Sequence, residues 1–196
     1  PPDHDRKEQL RVSPFSRSAA ESAWGSLAAM PRLLVPDDIA QAVANTNPLF
    51  STGADRWTQN CQRCGVAYEM RRRGFDVTAG GAESEHLPAL AAKWIDPTTN
   101  EPPTWRSDWA AMELEPAGAR LQVYVAWTDV DGALSGDAHV FVAEQTVDGL
   151  RFVDPQSGSP DVEWFFQCGT SVQWLRMDTL KPTEAVAKMT RKGRRQ

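Results

Sequence analysis

The chain has 196 residues, of which 41% are hydrophobic and 24% charged, and its formal net charge is −5. This length is enough for one domain with a substantial core, and no apolar run approaches the roughly 20 residues that a membrane-spanning helix needs. The negative net charge gives no overall attraction to nucleic acid or to anionic lipid, so neither is an expected partner.

The first predicted elements are two helices that follow a polar arm. Residues 1–16 are rich in charge and proline and show no period that would bury a face, which predicts a flexible arm or linker. Small and apolar residues recur at helical spacing over 16–30 and again over 36–45, so each stretch is predicted to form a helix. The acidic residues after Pro36 suit the positive end of the second helix.

The next predicted helix begins at a cysteine. Cys61 and the residues that follow it at successive spacings of three and four share one helical face. Gly74 suits the left-handed conformation that often follows a helix. The sequence then predicts a short strand over 75–79, a brief apolar helix around 87–95 and another helix around 105–112.

The C-terminal half has the composition and turn signals of β-strands. Strands are predicted over 121–127, 138–144, 150–154 and 172–176, with turns at two Asp-Gly pairs. Helices followed by a meander of strands predict an α+β fold, in which the N-terminal helices, including the helix of Cys61, pack on an antiparallel sheet.

The expected domain organisation is simple. We expect one domain over 17–182, preceded by the arm and followed by a solvated basic tail over 183–196. The sequence starts at Pro1 without Met, so we expect it to be part of a longer protein or a processed product.

A cysteine, a histidine and an aspartate are placed for nucleophilic catalysis. Cys61 is predicted at a helix N-terminus, where partial positive charge stabilises a thiolate. His139 lies near the start of one predicted strand and Asp154 closes the next, so the two side chains are expected to face each other. This arrangement suits a nucleophile, its base and the group that orients the base.

The segments around these three residues resemble a known family. Residues 60–64, 67–77, 139–140 and 153–158 are similar to the papain-fold toxin domains of bacterial polymorphic toxins and phage head-associated proteins. The resemblance implies a papain-like fold and a cysteine hydrolase that acts as a peptidase or a glutamine deamidase.

The resemblance also implies a catalytic triad and supporting polar residues. In better-known papain relatives, a glutamine several residues before the nucleophile donates to the oxyanion hole, whereas Gln59 lies only two residues before Cys61. The oxyanion donor therefore stays open, with the Cys61 backbone amide as the alternative. The implied triad is Cys61, His139 and Asp154, and the supporting residues are Gln59, Asn60 and Gln156.

A biological setting follows from the same resemblance. The expected substrate is a carboxamide of a protein in a target cell, either a glutamine side chain or a peptide bond, and the sequence does not separate the two. We expect delivery as part of a larger secreted protein and activity in a reducing cytosol, because the thiol must stay reduced. A cognate immunity protein is a second expected partner, and no cofactor is expected.

Three other interpretations stay open on the sequence alone. Cys64 shares the helix face of Cys61 and is the alternative nucleophile, although it lies a turn further from the helix end. A non-catalytic binding domain is the second. The third is a zinc site, either structural or hydrolytic. The two-residue spacer between Cys61 and Cys64 lies inside a predicted helix, which argues against such a site, so no metal is expected. Its four ligands would be Cys61, Cys64, Cys168 and His139.

Overall fold

The computed structural model describes residues 26–82, 90–128, 134–169 and 171–193. The predicted N-terminal arm and the greater part of the first predicted helix lie outside the described residues. The described end of that helix forms a 3₁₀ turn at Leu27–Ala29.

The described residues form six α-helices and eight β-strands, and none of these helices is long and apolar enough to cross a bilayer. The helices are α1 (Ile39–Thr46), α2 (Asp55–Thr58), α3 (Cys61–Arg72), α4 (Trp109–Glu113), α5 (Glu163–Cys168) and α6 (Glu184–Met189). The strands are β1 (Val77–Ala79), β2 (Trp94–Ile95), β3 (Arg120–Thr128), β4 (Leu134–Thr146), β5 (Gly149–Val153), β6 (Ser171–Arg176), β7 (Lys181–Pro182) and β8 (Thr190–Lys192).

Local sequence signals explain where the two longest helices begin and end. At the start of α1, the Asp38 carboxylate accepts the Gln41 backbone N–H at 2.8 Å, and the Gln41 side chain accepts the Asp38 N–H at 3.0 Å. This reciprocal capping box satisfies N–H groups that have no partner within the helix. Helix α3 begins at Cys61, as predicted, and ends before Gly74, whose φ of 83° is left-handed.

A four-stranded antiparallel sheet in the order β5-β4-β3-β6 forms the centre of the fold. Strands β3 and β4 pair with Val123 opposite Phe141, and β5 lies on the other side of β4 with Val153 opposite Val142. The α+β class with an antiparallel sheet is therefore confirmed.

The sheet is buried on both faces. Val66 and Met70 of α3 belong to the same core cluster as Val142 and Val153 of the sheet. Successive residues of a strand point to opposite faces of the sheet, so the strand residues that alternate with these belong to a second cluster on the other face. Each large apolar side chain buried in this way contributes about 1.5–3 kcal/mol to folding. The second cluster includes Leu121, Val123, Val125, Phe141, Phe165 and Trp174.

Two predicted helices and one strand have different bounds in the structure. In the described part of 87–95, the predicted helix is a short 3₁₀ helix over Leu90–Lys93, and the chain then forms strand β2, which pairs with β7. The helix predicted around 105–112 is the shorter α4. Strand β4 begins at Leu134, before the predicted residue 138, because its pairing with β3 continues past an irregularity to Thr128.

The prediction of a separate basic tail is wrong for residues 183–193. Thr183 caps α6 by accepting the Ala185 N–H at 3.2 Å, and Val186 and Met189 of this helix are buried in the main core. Strand β8 then pairs with β1. This short segment buries too few apolar residues to give a strong pattern, so the basic residues dominated the prediction. Residues 194–196 lie outside the described part of the chain.

A run of arginines at a helix end is usually solvated, but the three arginines at the end of α3 are paired with carboxylates. Each guanidinium reaches a carboxylate on another turn or element, and the carboxylates lie in the interior or near it. A buried charge is tolerated only when it is paired in this way. The pairs are Arg71 with Asp37, Arg72 with Glu144, and Arg73 with Glu69.

Candidate active site

The structure brings together the three residues that the sequence selected for catalysis. Cys61 is the first residue of α3 and is partly exposed, His139 lies on β4, and Asp154 follows directly after β5. The cysteine and the histidine are separated by 77 positions (139 − 61 − 1) in the sequence. Only the packing of α3 against the sheet places them side by side.

Pairing of β4 with β5 positions His139 beside Asp154. Val153 is the last residue of β5 and lies opposite Val142, so Asp154 follows beside the segment of β4 that contains His139. The His139 Nε2 atom lies 3.4 Å from an Asp154 carboxylate oxygen. This is an ion-pair contact that is longer than a typical N–H···O hydrogen bond.

The His139 imidazole is buried and carries a raised pKa. Burial alone would lower its pKa, but hydrogen bonding and charge from Asp154 and from Cys61 outweigh it and raise the pKa to about 9. The Phe165 ring stacks on the imidazole with its centroid 4.3 Å away. The histidine therefore lies between an acid, a thiol and an aromatic ring, which together restrict its orientation.

The Asp154 carboxylate is held by its own loop as well as by His139. Burial would raise its pKa, but the contact with His139, the Ser157 hydroxyl and the Gln156 backbone N–H together lower it. Ser157 Oγ donates to one carboxylate oxygen at 2.6 Å, and the Gln156 N–H donates to the other at 2.9 Å. Asp154 is therefore fixed as an anion that faces the imidazole.

A buried amide network joins the Asp154 loop to the residue before the cysteine. The Gln156 side chain donates to Asn60 Oδ1 at 3.3 Å, and Asn60 Nδ2 donates to the Gly80 carbonyl at 2.9 Å. Asn47 donates from its side chain to the Gln156 carbonyl at 2.9 Å. Two of the predicted supporting residues, Asn60 and Gln156, thus lie where they fix the relative position of α3 and the loop.

Gln59, the third predicted supporting residue, lies outside this network. It ends α2, where its backbone N–H donates to the Asp55 carbonyl at 2.9 Å, and its side chain is exposed. Among the hydrogen bonds of the described residues, none joins the Gln59 side chain to the amide network or to the triad.

Cys64 is placed as a core residue. It is fully buried, and its thiol lies 3.3 Å from Asn60 Oδ1. Burial, together with the nearby Cys61 and Asp154, raises its pKa well above the ordinary value, so the thiol stays protonated. This environment disfavours Cys64 as the nucleophile.

Three of the four residues proposed as zinc ligands have described side chains, and these three do not form a metal site. No group of three or more histidine, cysteine, aspartate or glutamate side chains there has the arrangement of a metal site. Cys64 is buried against Asn60, and the side chain of Cys168 lies outside what the structure describes.

Lys93 is a buried charged residue that no sequence pattern indicates as part of the site. It is fully buried, and its ammonium group donates to the Gln62 side chain at 3.1 Å, next to the candidate nucleophile. Burial lowers its pKa to about 7, while the nearby Cys61 acts in the opposite direction. The only signal in the sequence was a lone lysine in the short apolar stretch around 87–95, and lysines at such positions are usually solvated.

A cleft of about 370 Å³ opens beside the histidine. Both His139 and Asp154 line it, together with aromatic side chains from β3 and α5. This volume lies within the range of about 300–1,000 Å³ that is typical of ligand sites.

Comparison of the chain with family models, with curated proteins and with solved structures gives no significant match.

Proposed function

We propose that the chain is a papain-like cysteine hydrolase that cleaves a carboxamide of a protein substrate through Cys61, His139 and Asp154. The single observation that supports the proposal most strongly is the convergence of these three side chains from a helix end, a strand and a loop. A partly exposed thiol, a buried imidazole and a fixed carboxylate in this order are the parts of a nucleophilic triad.

The proposed reaction is acyl transfer in two steps. Cys61 Sγ attacks the carboxamide carbon, its proton resides on His139, and His139 delivers that proton to the nitrogen as the C–N bond breaks. Water then hydrolyses the thioester and regenerates the thiol. Because Nε2 faces Asp154, Nδ1 is the ring nitrogen left for the thiol and the leaving group.

The proposed oxyanion donor is the beginning of α3. The first N–H groups of a helix have no partner within it, and Cys61 and Gln62 are the first two residues of α3. Their amides and the helix dipole favour the negative charge that develops on the carbonyl oxygen. This arrangement needs no glutamine side chain, in agreement with the exposed position of Gln59.

The proposed setting follows the resemblance to papain-fold toxin domains. The enzyme acts as an effector that is delivered, within a larger protein, into a target cell, where a reducing cytosol keeps Cys61 as a free thiol. A cognate immunity protein in the producing cell is the proposed partner that would block this site.

Alkylation of the cysteines tests the proposed nucleophile. We expect iodoacetamide at pH 6 to label Cys61 within minutes, and His139→Ala to slow this labelling by at least about tenfold, because the imidazole then no longer accepts the thiol proton. Mass spectrometry of the digested protein measures the rate at each cysteine. Cys64 serves as the internal control, because its buried thiol should stay unlabelled in the folded protein.

Two results would contradict the nucleophile assignment. One is slow labelling of Cys61 that is unchanged by His139→Ala, which favours a binding domain. The other is protection of the cysteines by stoichiometric zinc, measured by elemental analysis of the purified protein and reversed by a chelator.

A further inference from the structure

The cleft beside His139 has an aromatic wall that is only partly covered. The indole rings of Trp127 and Trp164 are stacked with an interplanar angle of 16° and centroids 6.5 Å apart. Trp164 is 50% exposed, although its neighbour Phe165 is buried. A flat, partly exposed pair of indoles that lines a cleft suits stacking with a ligand ring or packing with a large apolar side chain.

The charges around the cleft disfavour the binding of an anionic group. Asp154 and Asp161 line it, and among its described lining residues there is no lysine or arginine. A free carboxylate at this position would face both acids without a basic partner other than His139, which already contacts Asp154. The cleft therefore suits an apolar side chain in the interior of a substrate peptide better than the C-terminal carboxylate of such a peptide.

The position of the cleft relative to the triad assigns it to one side of the substrate. During acyl transfer, the acyl part is bonded to Cys61 Sγ, and the leaving amine receives the proton from His139. Among the described residues, the cleft is lined by His139 and Asp154 but not by Cys61. It thus adjoins the residue that protonates the leaving amine and not the residue that holds the acyl part.

We propose that this cleft is the leaving-group subsite, and that it holds a large apolar or aromatic residue directly after the peptide bond that is cut. The inference rests on the proposed function and makes it more specific. Ammonia, the leaving group of a glutamine deamidase, is far too small to fill this volume. The enzyme is then a peptidase: the Cys61 Sγ–C bond forms, the peptide C–N bond breaks with the proton going to nitrogen, and water hydrolyses the thioester.

Cleavage of a terminally blocked peptide mixture tests this inference. The mixture contains internal glutamines, and every residue type occurs after some peptide bond. We expect new N-termini, identified by mass spectrometry, that begin with Phe, Tyr, Trp or Leu, and no release of ammonia. Trp164→Ala should reduce the preference for Phe over Ala at this position by about tenfold, as expected for a truncated apolar pocket.

Trp109→Ala is the matched control for Trp164→Ala. Trp109 is 37% exposed and packs on Phe152 and Phe166, outside the described lining of the cleft. This variant should keep the preference of the unmodified protein. Two results would overturn the inference but not the proposed cysteine hydrolase. One is release of ammonia without new N-termini, and the other is cleavage whose residue preference is the same in Trp164→Ala as in the unmodified protein.

A binding measurement separates the subsite from catalysis. In the inactive Cys61→Ser protein, phenylalaninamide should bind at least about tenfold more tightly than alaninamide in calorimetry, and Trp164→Ala should remove the difference. Equal binding of the two amides would overturn the inference. Two other results would instead overturn the proposed function. One is that Cys61→Ser still forms the cleavage products, and the other is that the unmodified protein forms no product although phenylalaninamide binds selectively.

Discussion

Replacing Asp154 by Asn is expected to lower the rate of the proposed amide hydrolysis by roughly 10³-fold or more, with the fold retained. The carboxylate contacts His139 Nε2 at 3.4 Å and contributes to the raised pKa of the imidazole. Without this charge, burial of the ring dominates and disfavours the protonated form that the leaving group needs. An asparagine amide can also donate to Nε2 and so fix the wrong tautomer.

The measurement is kcat on a peptide of the proposed substrate class, together with the melting temperature of each variant. Ser157→Ala is the control, because it removes the 2.6 Å hydrogen bond to Asp154 but leaves the carboxylate in place. We expect it to lower kcat by only roughly tenfold, the effect of one hydrogen bond to a charged group. Equal losses in both variants, or an unchanged rate in Asp154→Asn, would contradict the orienting role.

Replacing Glu69 by Gln is expected to lower the free energy of unfolding by about 3–5 kcal/mol. Glu69 is fully buried on α3, where it accepts from Arg73 at 2.6 Å and from Arg120 at 2.7 and 2.9 Å. Glutamine keeps the shape of the side chain but leaves two guanidinium groups without their carboxylate. A buried charge that loses its partner is far more costly than a solvated one.

Urea denaturation followed by tryptophan fluorescence measures this loss, with the slope of the transition checked for two-state behaviour. Asp108→Asn is the matched control, because Asp108 pairs with Arg106 on the surface, where solvent screens the interaction. This control should unfold at the same urea concentration as the unmodified protein. If Glu69→Gln also leaves the midpoint unchanged, the ion pairs around Glu69 do not stabilise the fold.

Local patterns in the sequence predicted the elements that carry the candidate site. The helix that begins at Cys61 and the strands of His139 and Asp154 have strong periodic or turn signals, and neighbouring strands place the last two residues together. Their catalytic roles stay a prediction, whereas their proximity is an observation of the structure.

Features that depend on distant partners were not predicted. Arg73 lies in a run of arginines that is usually solvated, and only the buried Glu69 and the packing of α3 explain its position. Lys93 is buried because the 3₁₀ turn that contains it packs near α3 and β2, which no local pattern indicates. The same holds for the cleft, whose walls come from β3, β4 and α5 and meet only in the folded chain.

The titration of His139 has a consequence for stability as well as for chemistry. Its pKa in the folded protein is raised to about 9, above the ordinary 6.5 that applies in the unfolded chain. The folded state therefore binds the proton more tightly. The resulting stabilisation is fully present below pH 6.5 and is lost as the pH rises through about 9.

Proton NMR titration of the His139 ring tests most directly whether the three residues act as one coupled unit. The chain has three histidines, and the spectrum of His139→Ala identifies the resonance. We expect a midpoint of about 9 in the unmodified protein and a lower midpoint in both Asp154→Asn and Cys61→Ser. A midpoint near 6.5 that neither substitution changes would contradict the coupled triad on which the proposed function depends.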